Sequence, residues 1–278
     1  MIRKYKTLTS LSALAASGAV VLSGCGGEGE GAASEAYAAE DVAVDAGVSP
    51  AIAEGEGEGE GEGEGEGEVA ARSGDPADDD AEYIYLLGLM RGHLTAFIEL
   101  YRADAFAQAA AHAKHPDDEL YATMAPAFAA RSERGFAEEL DALVLAAEER
   151  DGVELAYEAT VNAIRDATPQ TGAKTMLLAV SKMIATAGEE YEIGVDDAGA
   201  VIEPHEYQDA YGFLVAAREM LSETNTNDIN AGEAIAVAHE QIDLAMQSFH
   251  GLAANTTDGA ASTLFGAAAR IEIVALGL

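Results

Sequence analysis

The chain has 278 residues, 50 of them acidic and 15 basic, and a formal net charge of −35. So negative a surface repels anionic headgroups and excludes nucleic acid as a partner, because both are held mainly by Lys and Arg neutralising phosphates. Metal ions and cationic surfaces remain open to it, as does an acidity that serves solubility alone.

Arg3, Lys4 and Lys6 form a short basic stretch, followed by apolar and small residues from Thr7 to Val21. That length suits the core of a signal peptide and falls short of the about 20 apolar residues that span a bilayer. Leu22-Ser23-Gly24-Cys25 closes the stretch and resembles the lipobox read by the bacterial lipoprotein signal peptidase. The resemblance implies removal of residues 1–24, a diacylglycerol on the Cys25 thiol and an acyl chain on its new amino group. Cys25 is the only cysteine, so no intramolecular disulfide can form. An unmodified thiol after an ordinary secretory cleavage is the other reading. Multiple acyl chains anchor stably where one does so only marginally. Gly26 stands where an aspartate commonly signals inner-membrane retention in Gram-negative lipoproteins. The expected address is therefore the outer membrane, facing the periplasm or the cell surface.

Residues 25–72 read as a tether. Glu28, Glu30, Glu35, Glu40, Asp41 and Asp45 precede a Glu-Gly alternation from Glu54 to Glu68. Glycine loses the most backbone entropy on ordering and adjacent glutamates repel, so the segment is expected to stay disordered. The alternation has the period of a strand but no apolar face. A flexible coil of this length spans roughly 35–40 Å, more with charge repulsion. Its role is a solvated spacer or, alternatively, weak cation sequestration.

Residues 73–278 form one domain, long enough for a substantial core, with helical periodicity throughout. Leu86, Met90, His93, Phe97 and Tyr101 recur at three- and four-residue steps, one stripe of a helix, with Asp78, Asp79 and Asp80 at its positive end. Further helices are predicted over Phe106–Lys114, Asp117–Ala130, Glu133–Arg150, Val153–Ala167, Gly172–Ile193, His205–Glu223, Ala231–His250 and Ala261–Leu276. Breaks are expected at Pro116, Gly152, Thr168-Pro169, Asp196 to Gly199 and Thr224 to Asp228. Pro126 can kink or end the third helix, and Val201-Ile202 is the one short extended candidate. The predicted fold is all-α, a multi-helix bundle of antiparallel helical hairpins.

Two hairpins concentrate the chemistry. The first turns near Asp104, and in an antiparallel pair residues equidistant from the turn share a height. His93 and His115 each lie about 11 residues away, roughly 16 Å along the axis, with His112 one turn nearer. Glu119 follows shortly after. Imidazoles with a carboxylate are ligands suited to zinc, copper or iron. The same residues have structural readings: His93 as a core histidine, His112 and His115 as partners of free carbonyls in a last turn, and Pro116 to Glu119 as a helix start.

The second hairpin turns near Asp197 to Gly199. Glu190 and Glu206 are equidistant from it and are expected to face each other, and His205 and Asp209 share a helix face at four-residue spacing. Facing carboxylates repel unless a cation, a proton or solvent separates them; a solvated acidic helix start is the alternative. Glu99-Leu100-Tyr101 before Pro116 echoes Glu189-Glu190-Tyr191 before Pro204. If that echo marks a duplication, two similar ligand sets would meet across a pseudo-twofold axis.

His239-Glu240 lacks the second histidine of a zinc-protease helix. No phosphate loop or activated nucleophile is visible, and no enzyme activity is expected. An anchor followed by a helical domain with His and Glu clusters resembles the helical envelope proteins of bacterial metal uptake, including the imelysin-like iron-binding group. Gly92-His93 and Ala96 depart from that group's Gly-x-His-x-x-Glu signature, so the likeness is architectural. It implies a transition-metal-binding envelope protein. A structural or adaptor lipoprotein that docks another envelope protein through the apolar end, Ile271 to Leu278, is the alternative.

Overall fold

Asp79 opens the first helix: its side chain accepts hydrogen bonds from the backbone N–H groups of Ala81 and Glu82, which would otherwise lack partners. The computed structural model describes residues 74–278, the side chains of residues 117–119 excepted. The signal segment, Cys25 and the whole tether lie outside the described residues. Helix α1 (Asp80–Arg102) ends at a tight turn in which Asp104 adopts φ 60°, and α2 (Phe106–His115) returns beside it.

Pro116 does not break the chain as expected. A π-helical segment (Pro116–Tyr121) carries it straight into α3 (Ala122–Arg131), and Pro126 stays inside that helix. Proline has no N–H to give to an α-helical ladder, and a wider turn absorbs the missing bond. The next helix, α4 (Ala137–Glu149), begins later than predicted because Ser132 and Gly135 both take left-handed conformations. Its first N–H groups, those of Phe136 and Ala137, donate to the Tyr121 hydroxyl, a cap supplied by a distant side chain.

Helices α5 (Val153–Ala167), α6 (Ala173–Gly194), α7 (Pro204–Glu223), α8 (Ile229–Met246) and α9 (Ala261–Leu276) complete the bundle. The α6–α7 hairpin is closed by an isolated antiparallel bridge between Val195 and Val201, and Ala200 bridges Thr256. No strand occurs among the described residues. Helix α8 stops short of the predicted His250. Beyond it the Ser248 carbonyl accepts hydrogen bonds from the Tyr191 and Thr257 hydroxyls, which hold the chain in a turn.

The single stripe read for α1 understates its burial. Every residue from Glu82 to Ile98 is buried, and α2, α5, α6 and α7 all pack against the helix. Two of these contacts need glycine. A Cβ on Gly212 of α7 would stand 2.4 Å from the Gly92 carbonyl oxygen, and one on Gly92 would stand 2.3 Å from the Phe213 ring. Backbone therefore meets backbone where α1 crosses α7. Helix α9 buries Leu264, Ala267, Ala268, Ile271 and Ala275; of the apolar carboxy-terminal segment from Ile271 to Leu278 only Ile271 and Ala275 are buried, and Ile273, Leu276 and Leu278 are exposed. No described helix is long and apolar enough to cross a membrane.

Candidate metal centre

Asp209 is the hub of the centre. It sits on α7 one turn before Gly212 and is 2% exposed. The close crossing at Gly92 brings its neighbour His93 to face it, and α2, antiparallel to α1, delivers His112 and His115 one turn apart. His205 reaches the same carboxylate from one turn earlier on α7. Four imidazoles from three helices thus surround one carboxylate.

The two carboxylate oxygens divide them. His93 Nδ1 lies 2.6 Å and His112 Nδ1 2.9 Å from Oδ1. His205 Nε2 lies 3.2 Å and His115 Nδ1 4.0 Å from Oδ2, and those two nitrogens are 3.1 Å apart. The rings pack on one another: His112 stacks on His205 with centroids 4.1 Å apart, and His93 stands edge-on to His115 at 5.3 Å. The Oδ1 side is sealed, with His93 and His112 side chains 7% and 0% exposed, while His115 and His205 at 16% and 22% reach towards solvent.

Burial alone would raise the Asp209 carboxyl. Positive charge on His93, with hydrogen bonds and charge from His112 and a hydrogen bond from His205, outweighs burial and holds it well below the ordinary carboxylate range. Glu190 shows the opposite. Burial first, then its hydrogen bond to Glu206 and the negative charges of Glu206, Asp209 and Glu189, push it up to about 10. At neutral pH the Glu190–Glu206 pair therefore holds a proton between its carboxyls, beside the imidazole cluster.

The donor geometry on the solvent side suits an ion. A point equidistant from His115 Nδ1, His205 Nε2 and Asp209 Oδ2 lies about 2.0 Å from each, given their separations of 3.1, 3.2 and 4.0 Å; zinc–imidazole and zinc–carboxylate bonds are about 2.0–2.2 Å. Two imidazoles and one carboxylate also match the facial ligand set of non-haem iron(II).

Of the residues singled out in the sequence, the structure brings together His93, His112, His115, His205 and Asp209, with Glu190 and Glu206 adjoining. Glu119 lies on the π-helical segment and its side chain is outside the described residues. His250 is elsewhere, paired with Asp258 at the surface. Sequence reasoning missed Gln208, 2% exposed, whose Oε1 accepts from His112 Nε2–H at 2.9 Å. Its signal was present: positions 205, 208 and 209 share a helix face at three- and four-residue steps.

Residues 167–269 match the family model of the iron permease-associated 4-helix bundle domain. The matched stretch covers α6, α7, α8 and the first half of α9, and so contains Glu190, His205, Glu206, Gln208 and Asp209. It is less than half of the chain; His93, His112 and His115 lie outside it on the α1–α2 hairpin. No curated protein and no solved structure matches. The described domain is thus an all-α bundle, part of which is similar to an iron permease-associated four-helix bundle domain, with His/Asp groups that could hold a metal ion.

Proposed function

We propose that this protein is a non-enzymatic metal carrier of the bacterial envelope, anchored by acyl chains on Cys25, which binds a divalent first-row transition ion, iron(II) foremost, through its His/Asp cluster. The observation that carries the metal reading is the convergence of His115 Nδ1, His205 Nε2 and Asp209 Oδ2 about a point at bonding distance from all three. The iron permease-associated match supports iron as cargo. Zinc and copper accept the same ligands, so the choice of iron rests on the family-model match and on metal supply rather than on the ligand set.

The buried carboxylate neutralises part of the ion's charge, and the imidazoles bind as neutral ligands through lone pairs turned inwards. Glu190 and Glu206 add carboxyl groups next to Asp209. The acidic tether, outside the described residues, would hold the domain away from the membrane surface.

Anaerobic iron(II) titration of the chelator-washed, full-length chain against a competing chelator tests the metal reading. Near-stoichiometric uptake is expected in the wild type, with at least a tenfold loss of affinity in Asp209→Asn. Equal affinity in the two proteins would remove the cluster from the account. Mass spectrometry of membrane-extracted protein tests the anchor: acyl mass on the peptide beginning at Cys25 is expected, and a free thiol there would overturn it.

A further inference from the structure

We infer that the centre is built for two ions, the second held on Oδ1 of Asp209 between His93 and His112, with the Asp209 carboxylate bridging the pair. This rests on the metal-binding reading above and extends it to the sealed half of the cluster.

The division of ligands is the first argument. Each oxygen of one carboxylate faces two imidazole nitrogens: His93 from α1 and His112 from α2 on one side, His115 from α2 and His205 from α7 on the other. In each set the three donor atoms lie within 4.8 Å of one another, close enough for a single ion to span. A lone ion on the solvent side would use Oδ2 and leave His93 and His112 with no role beyond holding Asp209.

His112 speaks against that lesser role. Both of its ring nitrogens face oxygens at 2.9 Å, Asp209 Oδ1 and Gln208 Oε1. Gln208 Oε1 can only accept, so the Nε2 hydrogen is committed to it. Nδ1 is thereby aimed at Oδ1, in the hydrogen bond that holds Asp209 when no ion is bound, and its lone pair would take a cation placed between the two atoms. An outer amide that takes one imidazole hydrogen and orients the other nitrogen is the usual support of a metal-bound histidine.

Charge and access agree. Asp209 supplies a negative charge at the centre of the cluster, and the Glu190 and Glu206 carboxyls adjoin it. The partly exposed His115 and His205 form the mouth, and the fully enclosed His112 the floor. The outer position fills from solvent, and the inner position fills through it.

Cobalt(II) titration of the stripped, full-length chain decides the matter, followed by visible absorption in the presence of a weak competing chelator that suppresses binding to exposed carboxylates. Two equivalents are expected in the wild type and one in His112→Gln, which leaves the outer ligands in place. Far-UV circular dichroism of the variant establishes that it is folded. Copper(II)-loaded wild type should also show less than half the electron-spin intensity per copper of the one-ion variant, because a shared carboxylate couples the two spins. One equivalent in the wild type overturns the second ion and leaves the carrier reading standing; none overturns both. Two equivalents in wild type and His112→Gln alike would place the second ion elsewhere and end the bridged arrangement.

Discussion

Replacing Gly212 with alanine tests whether the α1–α7 crossing sets the geometry of the metal centre. The new Cβ would lie 2.4 Å from the Gly92 carbonyl oxygen and 3.3 Å from Ala96 Cβ. The first obstacle is backbone, so relief requires the helices to part by about 1.0 Å to reach ordinary contact. Overpacking of this kind costs about 1–3 kcal/mol, and a contact with backbone belongs at the upper end. Alanine's better helix propensity returns about 1 kcal/mol. The net loss of about 1–2 kcal/mol corresponds to a fall in Tm of roughly 2–8 °C for a domain of this size. Gly232, in the first turn of α8, is the control: a Cβ there meets nothing within 4 Å, so Gly232→Ala should leave Tm unchanged or raise it slightly. The crossing also holds His93 at 2.6 Å from Asp209, and an added separation of about 1.0 Å takes that pair beyond hydrogen-bonding range. Gly212→Ala should therefore weaken metal binding as well as stability, whereas Gly232→Ala should not. Calorimetric melting and iron(II) titration of the two variants are the assays. Equal Tm changes, or unaltered affinity in Gly212→Ala, would refute the argument.

Three further outcomes follow from separate parts of the molecule. Saturating the protein with iron(II) at about a hundred times Kd should stabilise it by about 2.7 kcal/mol, a rise in Tm of roughly 5–10 °C; an unchanged melting curve would speak against specific binding. Tyr191→Phe removes a buried hydroxyl shared with Thr257 and the Ser248 carbonyl and should cost about 1–2 kcal/mol, read from urea denaturation; an unchanged midpoint would mean that this anchor of the α8–α9 connection is dispensable. Glu223 is raised by burial but held low by hydrogen bonds from Arg91 and Arg165, so its folded-state pKa lies below the unfolded one. Its stabilisation is present above the unfolded carboxyl pKa of about 4.3 and is lost as pH falls through the folded value. Glu223→Gln should thus melt lower than wild type at pH 7, with the gap narrowing as the pH is lowered below the unfolded value; a gap independent of pH would dismiss the ion pairs as its cause.

The sequence carried the all-α class and most helix positions because the periodicity is strong and the turns hold glycine, proline or acidic residues. Val153–Ala167 and Ala261–Leu276 were legible to the residue. Height within a hairpin was legible too: counting from Asp104 pairs His93 with His115, and counting from Ala198 pairs Glu190 with Glu206. What could not be counted was the contact between hairpins. The convergence of His93 and His112 on Asp209 depends on two glycines that let α1 and α7 touch, and glycine in a helix reads in sequence as a propensity penalty. The α1 segment looked like one stripe because polar Arg91 and Thr95 interrupt its apolar run. Both are buried, Arg91 against Glu219 and Glu223, and Thr95 by a hydrogen bond to the Arg91 carbonyl. Pro116 reads as a stop in any local reckoning; only neighbouring helices can keep the chain turning through it.

The widened turn from Pro116 to Tyr121 amounts to a spare residue stored inside a continuous rod. Deleting one residue there would let an ordinary helix form and swing everything beyond it by about 100° relative to α2. His112 and His115 would keep their places, while Phe128 would be carried away from Tyr83 on α1, the ring it meets edge-to-face. The lengths of the two halves of this rod are thus tuned separately: one half keeps imidazoles in register with Asp209, and the other closes the far side of the bundle.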